Sequence, residues 1–219
     1  MTPNELYDII RMEIVSREGE VYDDINCTYV DPENTERILS VIFKEYNDIA
    51  VEDGASKVCI IPVEGDFVFK ITREDRSTEE SCETEAMNYQ QAKANGFDKF
   101  FLETQLYKHF NECGFDFDIY IQPKIDMISM EVDEERDEEL EESESFNSYK
   151  GYGSCSEDLS LAWIENFLCY YGERSYDDLI LFCDCNLIND LHSGNVGYVF
   201  DDDHDPRPVI FDYAGYGNS

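Results

Sequence analysis

Four polar residues interrupt apolar runs of this chain, and their types could support phosphoryl transfer. They are Lys70 in "DFVFKI", Asp190 and Asn195 in "NDLHSGN", and Asp212 in "VIFDYAG". A nucleoside triphosphate carries concentrated negative charge, so its reaction needs a fixed cation, Mg²⁺ and a carboxylate that orients the attacking hydroxyl. Lys70 could supply the cation and Asp190 the carboxylate. Asn195 and Asp212 offer the hard oxygen atoms that Mg²⁺ prefers.

The run around Lys70 is typical of a β-strand, in which side chains alternate between two faces. Val68 and Lys70 would share one face, and Phe67, Phe69 and Ile71 would share the other. Such a strand can pack its apolar face while the ammonium points toward a cleft. The alternation therefore predicts that the face opposite Lys70 lies in the core.

A single lysine in a cleft would be mobile, and a carboxylate on the following helix could hold it. Both Glu83 and Glu85 are candidates in the segment "STEESCETEAMNYQQAKANG". Glu85 shares a helical stripe with Cys82, Ala86 and Tyr89, which predicts that it faces inward. We therefore favour Glu85 over Glu83.

Hydrophobic periodicity predicts the elements that must position these residues. Helices are expected over 3–17 and 33–47, with two apolar stripes: Leu6, Ile9, Ile10 and Ile14, then Ile38, Val41, Ile42 and Tyr46. Next come two strands in "KVCIIPVEGDFVFKI", joined by a hairpin turn at "PVEGD". A helix should follow from Ser77 or Thr78 to Gly96.

The second half of the chain is predicted to begin with two more strands, "FLETQLYKHF" and "FDFDIYIQPKI". Residues 131–148 are dominated by like charge, which predicts a loop or a disordered linker. Two helices should follow, one capped by Ser156 and ending at Gly172, the other capped by Ser175. Two short strands, "VGYVF" and "PVIFD", complete the chain.

The motifs together resemble a known superfamily. "DLHSGN" with "VIFDYAG" resembles the catalytic and metal-binding loops of the protein-kinase-like superfamily, particularly its aminoglycoside phosphotransferase branch and its compact bacterial or phage members. The upstream "DGASKVCIIPVEGDFVFKI" is similar to the phosphate-covering hairpin and the strand that carries the ATP lysine. The order of these segments also agrees with that superfamily.

The resemblance implies a role for each matched residue, with ATP and Mg²⁺ as cofactors. Asp190 would be the catalytic base, Lys70 would contact the α- and β-phosphates, and Glu85 would pair with Lys70. Asn195 and Asp212 would bind the metal. The nucleotide would be contacted by residues of the hairpin, the lysine strand and the hinge, namely Gly54, Ser56, Val68, Lys70, Ile121, Gln122 and Lys124. Apart from the resemblance, we expect His192 to be a structural residue that braces the loop around Asp190.

The fold class expected from this resemblance is α+β, with a two-lobed protein-kinase-like fold. Its parts would be an N-terminal helical extension (1–47), an N-lobe with hinge (48–130), an acidic linker (131–148) and a minimal C-lobe (149–219). We expect the C-lobe to be truncated, because the sequence ends a few residues after "DYAG", where protein kinases continue into an activation segment. Gly54 also stands alone where those kinases usually carry three glycines.

Composition narrows the functional classes. The 219 residues include 16 Lys and Arg against 51 Asp and Glu, a formal net charge of −35, so direct binding to nucleic acid is not expected. No run approaches the roughly 18 apolar residues of a membrane span, and the amino terminus lacks a signal-peptide pattern, so we expect a soluble, cytoplasmic protein. The eight cysteines form no CxxC pair and are expected to be reduced thiols.

Three functions remain open from the sequence. The first is an ATP- and Mg²⁺-dependent phosphotransferase that acts on a Ser or Thr hydroxyl of a protein. The second is a catalytically weak acidic inhibitor or adaptor that binds a basic host protein, for example by mimicking DNA. The third, ranked lowest, is a kinase for a cationic small molecule. By analogy with other compact members, the chain could come from a phage or a mobile element.

Overall fold

A computed structural model of the chain describes residues 1–16, 39, 43, 46–54, 56–73, 80–125, 130–141, 149, 159–200 and 205–214. Over these residues the fold is α+β, as expected. The chain divides into two compact units. The first unit contains Met1–Glu83 and Thr104–Lys124, and the second contains Thr84–Glu103 and Ile125–Ser219.

The helices of the described residues are α1 (Pro3–Ser16), α2 (Cys82–Asn95), α3 (Met130–Glu141), α4 (Leu161–Tyr171) and α5 (Glu173–Cys185). The strands are β1 (Ile49–Asp53), β2 (Lys57–Pro62), β3 (Phe67–Thr72), β4 (Gln105–Glu112), β5 (Phe115–Pro123), β6 (Val196–Phe200) and β7 (Pro206–Ile210). Short 3₁₀ turns occupy Asp98–Phe100 and Ser193–Asn195.

The first unit is built on an antiparallel sheet with the strand order β1-β2-β3-β5-β4. Strand β3 therefore lies in the centre, and Lys70 has Cys59 of β2 and Tyr120 of β5 as its cross-strand neighbours. The predicted hairpin at "PVEGD" is confirmed, since β2 and β3 pair on either side of it. A central strand satisfies both edges of its backbone, so its side chains are held firmly in register.

One face of this sheet is covered by α1. Leu6, Ile10 and Ile14 of the helix are buried, as the predicted stripe requires. They join the apolar cluster that contains Phe67, Phe69 and the other core-facing residues of the strands. Burial of each such side chain contributes about 1.5–3 kcal/mol, which favours one orientation of the sheet strongly.

The second unit places aromatic residues at its centre. Trp163, Phe167 and Tyr176 are all buried, and the ring of Phe167 lies 5.2 Å from that of Trp163 and 5.7 Å from that of Tyr176. The indole N–H of Trp163 donates to the Gly197 carbonyl at 3.2 Å. Helix α4 is therefore fixed against the antiparallel β6–β7 pair. Strand β6 matches the predicted "VGYVF", whereas β7 begins and ends two residues before the predicted "PVIFD".

The prediction of a loop or disordered linker over 131–148 is wrong for its first part, where the structure has helix α3. Glutamate is a good helix former, and the repulsion among these carboxylates is offset by Arg136, which contacts Glu139 at 2.7 Å and Glu165 at 2.6 Å. Leu140 is buried and adds an apolar anchor. Residues 142–148 lie outside the described part of the chain.

Two helix starts also differ from the prediction. Helix α4 is capped by Ser160, whose hydroxyl accepts the Trp163 N–H at 3.1 Å, and Ser156 lies outside the described residues. Helix α5 begins after Gly172, so Ser175 lies inside its first turn and its hydroxyl donates to the Tyr171 carbonyl. The predicted end at Gly172 is confirmed, because helix α4 ends at Tyr171 and Gly172 caps it. Gly172 has a positive φ of 85°, which glycine adopts easily.

The predicted helix over 33–47 falls mainly outside the described residues. Leu39 and Phe43 are described, and both are buried in the cluster of the first unit. The predicted stripe omitted these two residues, and of its members Tyr46 is half-buried. Ile38, Val41 and Ile42 are not among the residues that the structure describes.

The described residues bear on two expectations from composition: the state of the cysteines and the presence of a membrane-spanning helix. Six cysteines fall among them, at positions 59, 82, 113, 169, 183 and 185, and these six are free thiols. Within the same residues, the structure contains no helix that is both long and apolar enough to cross a membrane.

Candidate functional site

Lys70 is the candidate residue at the centre of the first unit. It is only 3% exposed, although its neighbours in β3 on the opposite face, Phe69 and Ile71, are the ones that pack into the core. The predicted alternation is therefore confirmed. Burial raises the pKa of the cross-strand neighbour Tyr120 to about 12, with smaller contributions from the charges of Asp118 and Glu83. Lys70 and its neighbour Tyr120 are therefore both largely removed from water.

The predicted hinge residues lie on different faces of the sheet. Gln122 pairs with Val68 across the strands, so both share the face of Lys70. Its amide donates to the Thr104 hydroxyl at 2.8 Å in a buried contact. Ile121 pairs with Phe69 and packs against the core on the other face. Of these two hinge residues, only Gln122 directs its side chain to the same face as Lys70.

Gly54 and Ser56 lie between β1 and β2. The Gly54 N–H donates to the Lys57 carbonyl at 3.0 Å. Arg73 holds the turn from outside: its backbone N–H donates to the Ser56 carbonyl at 3.0 Å and its guanidinium to the Gly54 carbonyl at 3.1 Å. The turn is therefore well fixed by backbone hydrogen bonds.

Lys124 lies at the opposite end of β2 from that turn. Its ammonium donates to the carbonyls of Pro62 and Val63, at 3.1 and 3.3 Å. Six strand residues at about 3.3 Å each separate the two ends of β2 by roughly 20 Å. The structure therefore does not bring Lys124 together with Gly54 and Ser56, although all three were predicted to contact the nucleotide.

Helix α2 carries Glu85, whose side chain is 0% exposed, whereas Glu83 is exposed. The prediction that Glu85 faces inward is confirmed by this burial, and Tyr89 is buried on the same stripe. The helix begins at Cys82, whose N–H donates to the Thr72 hydroxyl at 2.9 Å. The predicted start at Ser77 or Thr78 lies outside the described residues.

The loop that contains Asp190 and Asn195 closes on itself. The Asn195 amide donates to the Asp190 carbonyl at 2.6 Å, and the Asn195 backbone N–H donates to the His192 carbonyl at 2.9 Å. Asn195 is 9% exposed, while the Asp190 carboxylate is 40% exposed. The loop thus buries the Asn195 amide and leaves the Asp190 carboxylate partly exposed.

His192 supports the loop in the way that was predicted. Its Nδ1 accepts the Gly194 N–H at 3.0 Å, so the imidazole proton of the neutral ring is on Nε2, which lies 3.9 Å from the nearer Asp190 oxygen. A Cβ at Gly194 would come within 2.8 Å of the His192 ring. Glycine is therefore needed for the ring to fold over the turn.

Asp212 is connected to the same loop through its backbone. The N–H groups of Phe211 and Asp212 both donate to the Asn195 carbonyl, at 3.0 and 3.3 Å. The Asn195 carbonyl therefore holds the first two residues after β7 next to Asn195. Consequently the structure brings together three of the predicted residues, Asp190, Asn195 and Asp212, within the second unit.

Asn195 and Asp212 carry oxygen atoms of the kind that Mg²⁺ prefers. Because the Asn195 amide nitrogen donates to Asp190, the carboxamide oxygen is the atom that Asn195 can offer to a metal. Together with the Asp212 carboxylate this makes a small set of hard oxygen donors, and Mg²⁺ usually takes one or two carboxylates, water and substrate phosphates. Among the described residues, no group of three or more His, Cys, Asp or Glu side chains forms a metal site.

The sequence reasoning missed two residues that hold the Asp212 segment. Asn88 of α2 donates its amide to the Tyr213 carbonyl, and the buried Tyr213 donates its hydroxyl to the Leu102 carbonyl. Asn88 lies three residues after Glu85, on the same side of the helix, and this spacing was the available signal. A polar residue on an inward stripe must find a partner, but the sequence does not say which one.

Comparison of the chain with protein-family models, with curated proteins and with solved structures found no match. A function must therefore be inferred from the chain itself. Two features are available: the sheet face that carries Lys70 in the first unit, and the arrangement of Asp190, Asn195 and Asp212 in the second.

Proposed function

We propose that this chain is an ATP- and Mg²⁺-dependent phosphotransferase with a two-lobed, protein-kinase-like fold, acting on a Ser or Thr hydroxyl of a protein. The observation that carries the proposal is the hydrogen-bonded arrangement of the second unit. There the Asn195 amide donates to the Asp190 carbonyl and the Asn195 carbonyl accepts the Asp212 N–H. One asparagine thus holds a base candidate and a metal-ligand candidate in fixed register.

Asp190 is proposed as the group that orients the acceptor hydroxyl. Its carboxylate is 40% exposed, so an incoming hydroxyl can reach it. Asn195 and Asp212 are proposed to hold Mg²⁺, which neutralises phosphate charge when it is bound. The residues of the chain fix the acceptor proton and the phosphates relative to each other, and such positioning accounts for much of catalysis in this reaction class.

Lys70 is proposed as the cation for the α- and β-phosphates. It is carried by the central strand of an antiparallel sheet whose opposite face packs into the apolar core, and it is only 3% exposed. A buried ammonium needs a compensating charge, and we propose Glu85, the fully buried carboxylate of α2, for this role. The turn at Gly54 and Ser56 and the side chains of Val68 and Gln122 are proposed to contact the nucleotide.

The net charge and the cysteines of the chain bear on the acceptor and on the cellular compartment. A protein acceptor is favoured over nucleic acid because the formal net charge of −35 repels phosphate backbones. The six described cysteines are free thiols, which favours a reducing compartment such as the cytoplasm. A basic acceptor segment would be attracted to such an acidic chain.

The proposal is tested by nucleotide binding and by transfer of labelled phosphate. At about 100 times its dissociation constant, MgATP should stabilise the wild type by about 2.7 kcal/mol, which raises Tm by about 5–10 °C for a chain of this size. With γ-labelled ATP and a cell extract as the source of acceptors, Asp190→Asn should lose labelling by about 10²–10⁴-fold. Asp177→Asn, an identical charge change at an exposed position of α5, is the matched control and should label normally.

Two results would contradict the proposal. One is a wild-type Tm that does not respond to MgATP. The other is equal labelling by the wild type and by Asp190→Asn. Asp212→Asn tests the proposed metal ligand by itself, since it should weaken the response to MgATP more than the response to ATP without metal.

The second candidate function is an acidic adaptor that binds a basic protein. The observation that favours it is the exposed acidic surface of α3, where Glu138, Glu139 and Glu141 are exposed and Arg136 is already paired with carboxylates. An adaptor of this kind would capture a basic protein in a salt-sensitive way that Asp212→Asn leaves unchanged. Salt-sensitive capture without any response to MgATP would favour the adaptor over the kinase.

A further inference from the structure

Asn88 is a buried polar residue to which the proposed reaction assigns no role. It lies in α2, three residues after Glu85, and is 8% exposed. Residues three apart in a helix project from the same side, so the side chains of Glu85 and Asn88 are neighbours on one stripe. An amide in such a position is costly unless its hydrogen bonds are made.

The Asn88 amide nitrogen contacts two consecutive carbonyls of the chain. It lies 2.9 Å from the Tyr213 oxygen and 3.3 Å from the Ala214 oxygen. A carboxamide nitrogen carries two hydrogens, so one side chain can serve both carbonyls at once. These are the two residues that immediately follow Asp212, the proposed metal ligand.

The same short segment is also held from its other side. The N–H groups of Phe211 and Asp212 donate to the Asn195 carbonyl, at 3.0 and 3.3 Å. In addition, the Tyr213 hydroxyl donates to the Leu102 carbonyl, and its ring packs edge-on against Phe101 at 5.0 Å. Asp212 is therefore flanked by anchors immediately before and after it, all of them within the second unit.

Flanking anchors of this kind restrict the backbone angles of the residue between them. The Cα–Cβ bond of Asp212 then has a fixed direction, so less freedom is lost when the carboxylate binds a ligand, and a pre-organised ligand binds more tightly than a mobile one. Residues that orient metal ligands commonly change metal affinity by about 10–100-fold when they are removed. Asn88 has the contacts, the burial and the location that such a residue requires.

We propose that Asn88 is a positioning residue for Asp212: by holding the Tyr213 and Ala214 carbonyls, it fixes the orientation of the metal-binding carboxylate and couples helix α2 to it. The inference rests on the proposed function, because it assumes that Asp212 binds Mg²⁺. It adds that α2 has two roles, since the helix that carries Glu85 also sets the geometry of the metal site. A displacement of α2 would then disturb Asp212.

The test compares Asn88→Ala with the wild type in the full chain. The nucleotide affinity is measured over a Mg²⁺ titration, with a fluorescent ATP analogue as the probe. We expect the Mg²⁺ concentration for half-maximal binding to rise by about 10–100-fold, while affinity for the nucleotide without Mg²⁺ is unchanged. Asn95→Ala is the matched control, because Asn95 lies at the exposed end of the same helix and donates only to the Gln91 carbonyl.

Hydrogen exchange gives a second readout that needs neither metal nor activity. Loss of the Asn88 amide should accelerate exchange of the Phe211 and Asp212 N–H groups in the ligand-free protein, because these two hydrogen bonds lie in the segment that it holds. The conservative variant Asn88→Gln keeps both donor hydrogens and should restore part of the lost Mg²⁺ affinity. If Asn88→Ala does not fold, Tyr213→Phe removes a different anchor, keeps the ring and should show the same effects to a smaller extent.

The outcomes separate this inference from the proposed function. If the wild type binds MgATP and Asn88→Ala retains both the wild-type Mg²⁺ dependence and the wild-type exchange at Asp212, the positioning role is overturned and the kinase proposal stands. If the wild type itself binds no nucleotide at any Mg²⁺ concentration, both proposals are overturned. A loss in Asn95→Ala equal to that in Asn88→Ala would also overturn the positioning role, because the effect would then not depend on the carbonyl contacts.

Discussion

The two units hold their candidate residues by different means. In the first unit, Lys70 belongs to a regular strand, and apolar packing of Phe69 and Ile71 on the opposite face decides where its ammonium points. In the second unit, Asn195 and Asp212 belong to irregular segments that are fixed by single hydrogen bonds. A strand distributes the positioning over many contacts, whereas a loop depends on a few specific donors and acceptors.

We therefore expect the two units to respond differently to substitution. A change in the core of the first unit should alter global stability first and the site second. A change in the polar contacts of the second unit should alter the site at a lower cost in stability. Three substitutions test this contrast, in decreasing order of their expected effect on the free energy of unfolding.

The largest effect is expected from Phe69→Ala. Phe69 is fully buried between α1 and the sheet, and removal of a buried phenyl ring costs about 3–5 kcal/mol, since it loses apolar contacts and leaves a cavity. Urea unfolding of the full chain measures the loss. Phe200→Ala, at an exposed position of β6, is the control and should change the unfolding free energy by only about 0.5 kcal/mol. An equal loss in both variants would contradict the assignment of Phe69 to the core.

A smaller loss is expected from Asn195→Ala in the absence of ligand. The substitution removes the amide that donates to the Asp190 carbonyl at 2.6 Å in a part-buried contact. A fully buried acceptor without a partner costs about 1–3 kcal/mol, so we expect a loss of about 1 kcal/mol here. Unfolding in urea again measures the loss, with Asn111→Ala as the control, because Asn111 makes its hydrogen bond to Asp116 at the surface. If Asn195→Ala were as costly as Phe69→Ala, the contrast between the units would be lost.

The smallest effect is expected from Tyr120→Phe, and it should depend on pH. Burial raises the pKa of Tyr120 to about 12 in the folded chain, above the ordinary value of 10.0. Between pH about 10 and about 12 the unfolded chain loses this proton while the folded chain retains it, so Tyr120 contributes stability below pH 10 that disappears as the pH rises. The wild type should therefore lose stability more steeply than Tyr120→Phe in that window.

Denaturant midpoints at a series of pH values check this prediction. Tyr89 and Tyr171 also have raised pKa values because of burial, so both proteins should weaken at high pH and only their difference reports on Tyr120. Identical pH profiles for the two proteins would mean that the face of the sheet around Lys70 is more hydrated than its burial indicates.

Much of the regular structure was predictable because strands and helices repeat. The alternation around Lys70 and the stripe of Leu6, Ile10 and Ile14 are properties of the sequence, and burial follows them in the structure. The same reasoning selected Glu85 over Glu83. Failure came where charge was taken as a sign of disorder, since α3 forms over 130–141 with Arg136 as a local partner for its glutamates.

The second unit was less predictable because its site depends on contacts between distant segments. The sequence marked Asp190, Asn195 and Asp212 as unusual, but it did not indicate Asn88 as a partner of residues 125 or more positions away. Lys124, Gly54 and Ser56 were also expected to contact the same nucleotide. The structure separates them by the length of β2, because a strand places its two ends far apart.

By itself, the sequence determined the types of the chemical groups and the faces of the regular elements, because both follow from local periodicity. Only the tertiary structure decided that the Asn195 carbonyl meets the Asp212 N–H and that Asn88 holds the residues that follow. These contacts join segments that are remote in sequence, and their energies depend on geometry to within a fraction of an ångström. A local pattern of residues carries no information at that scale.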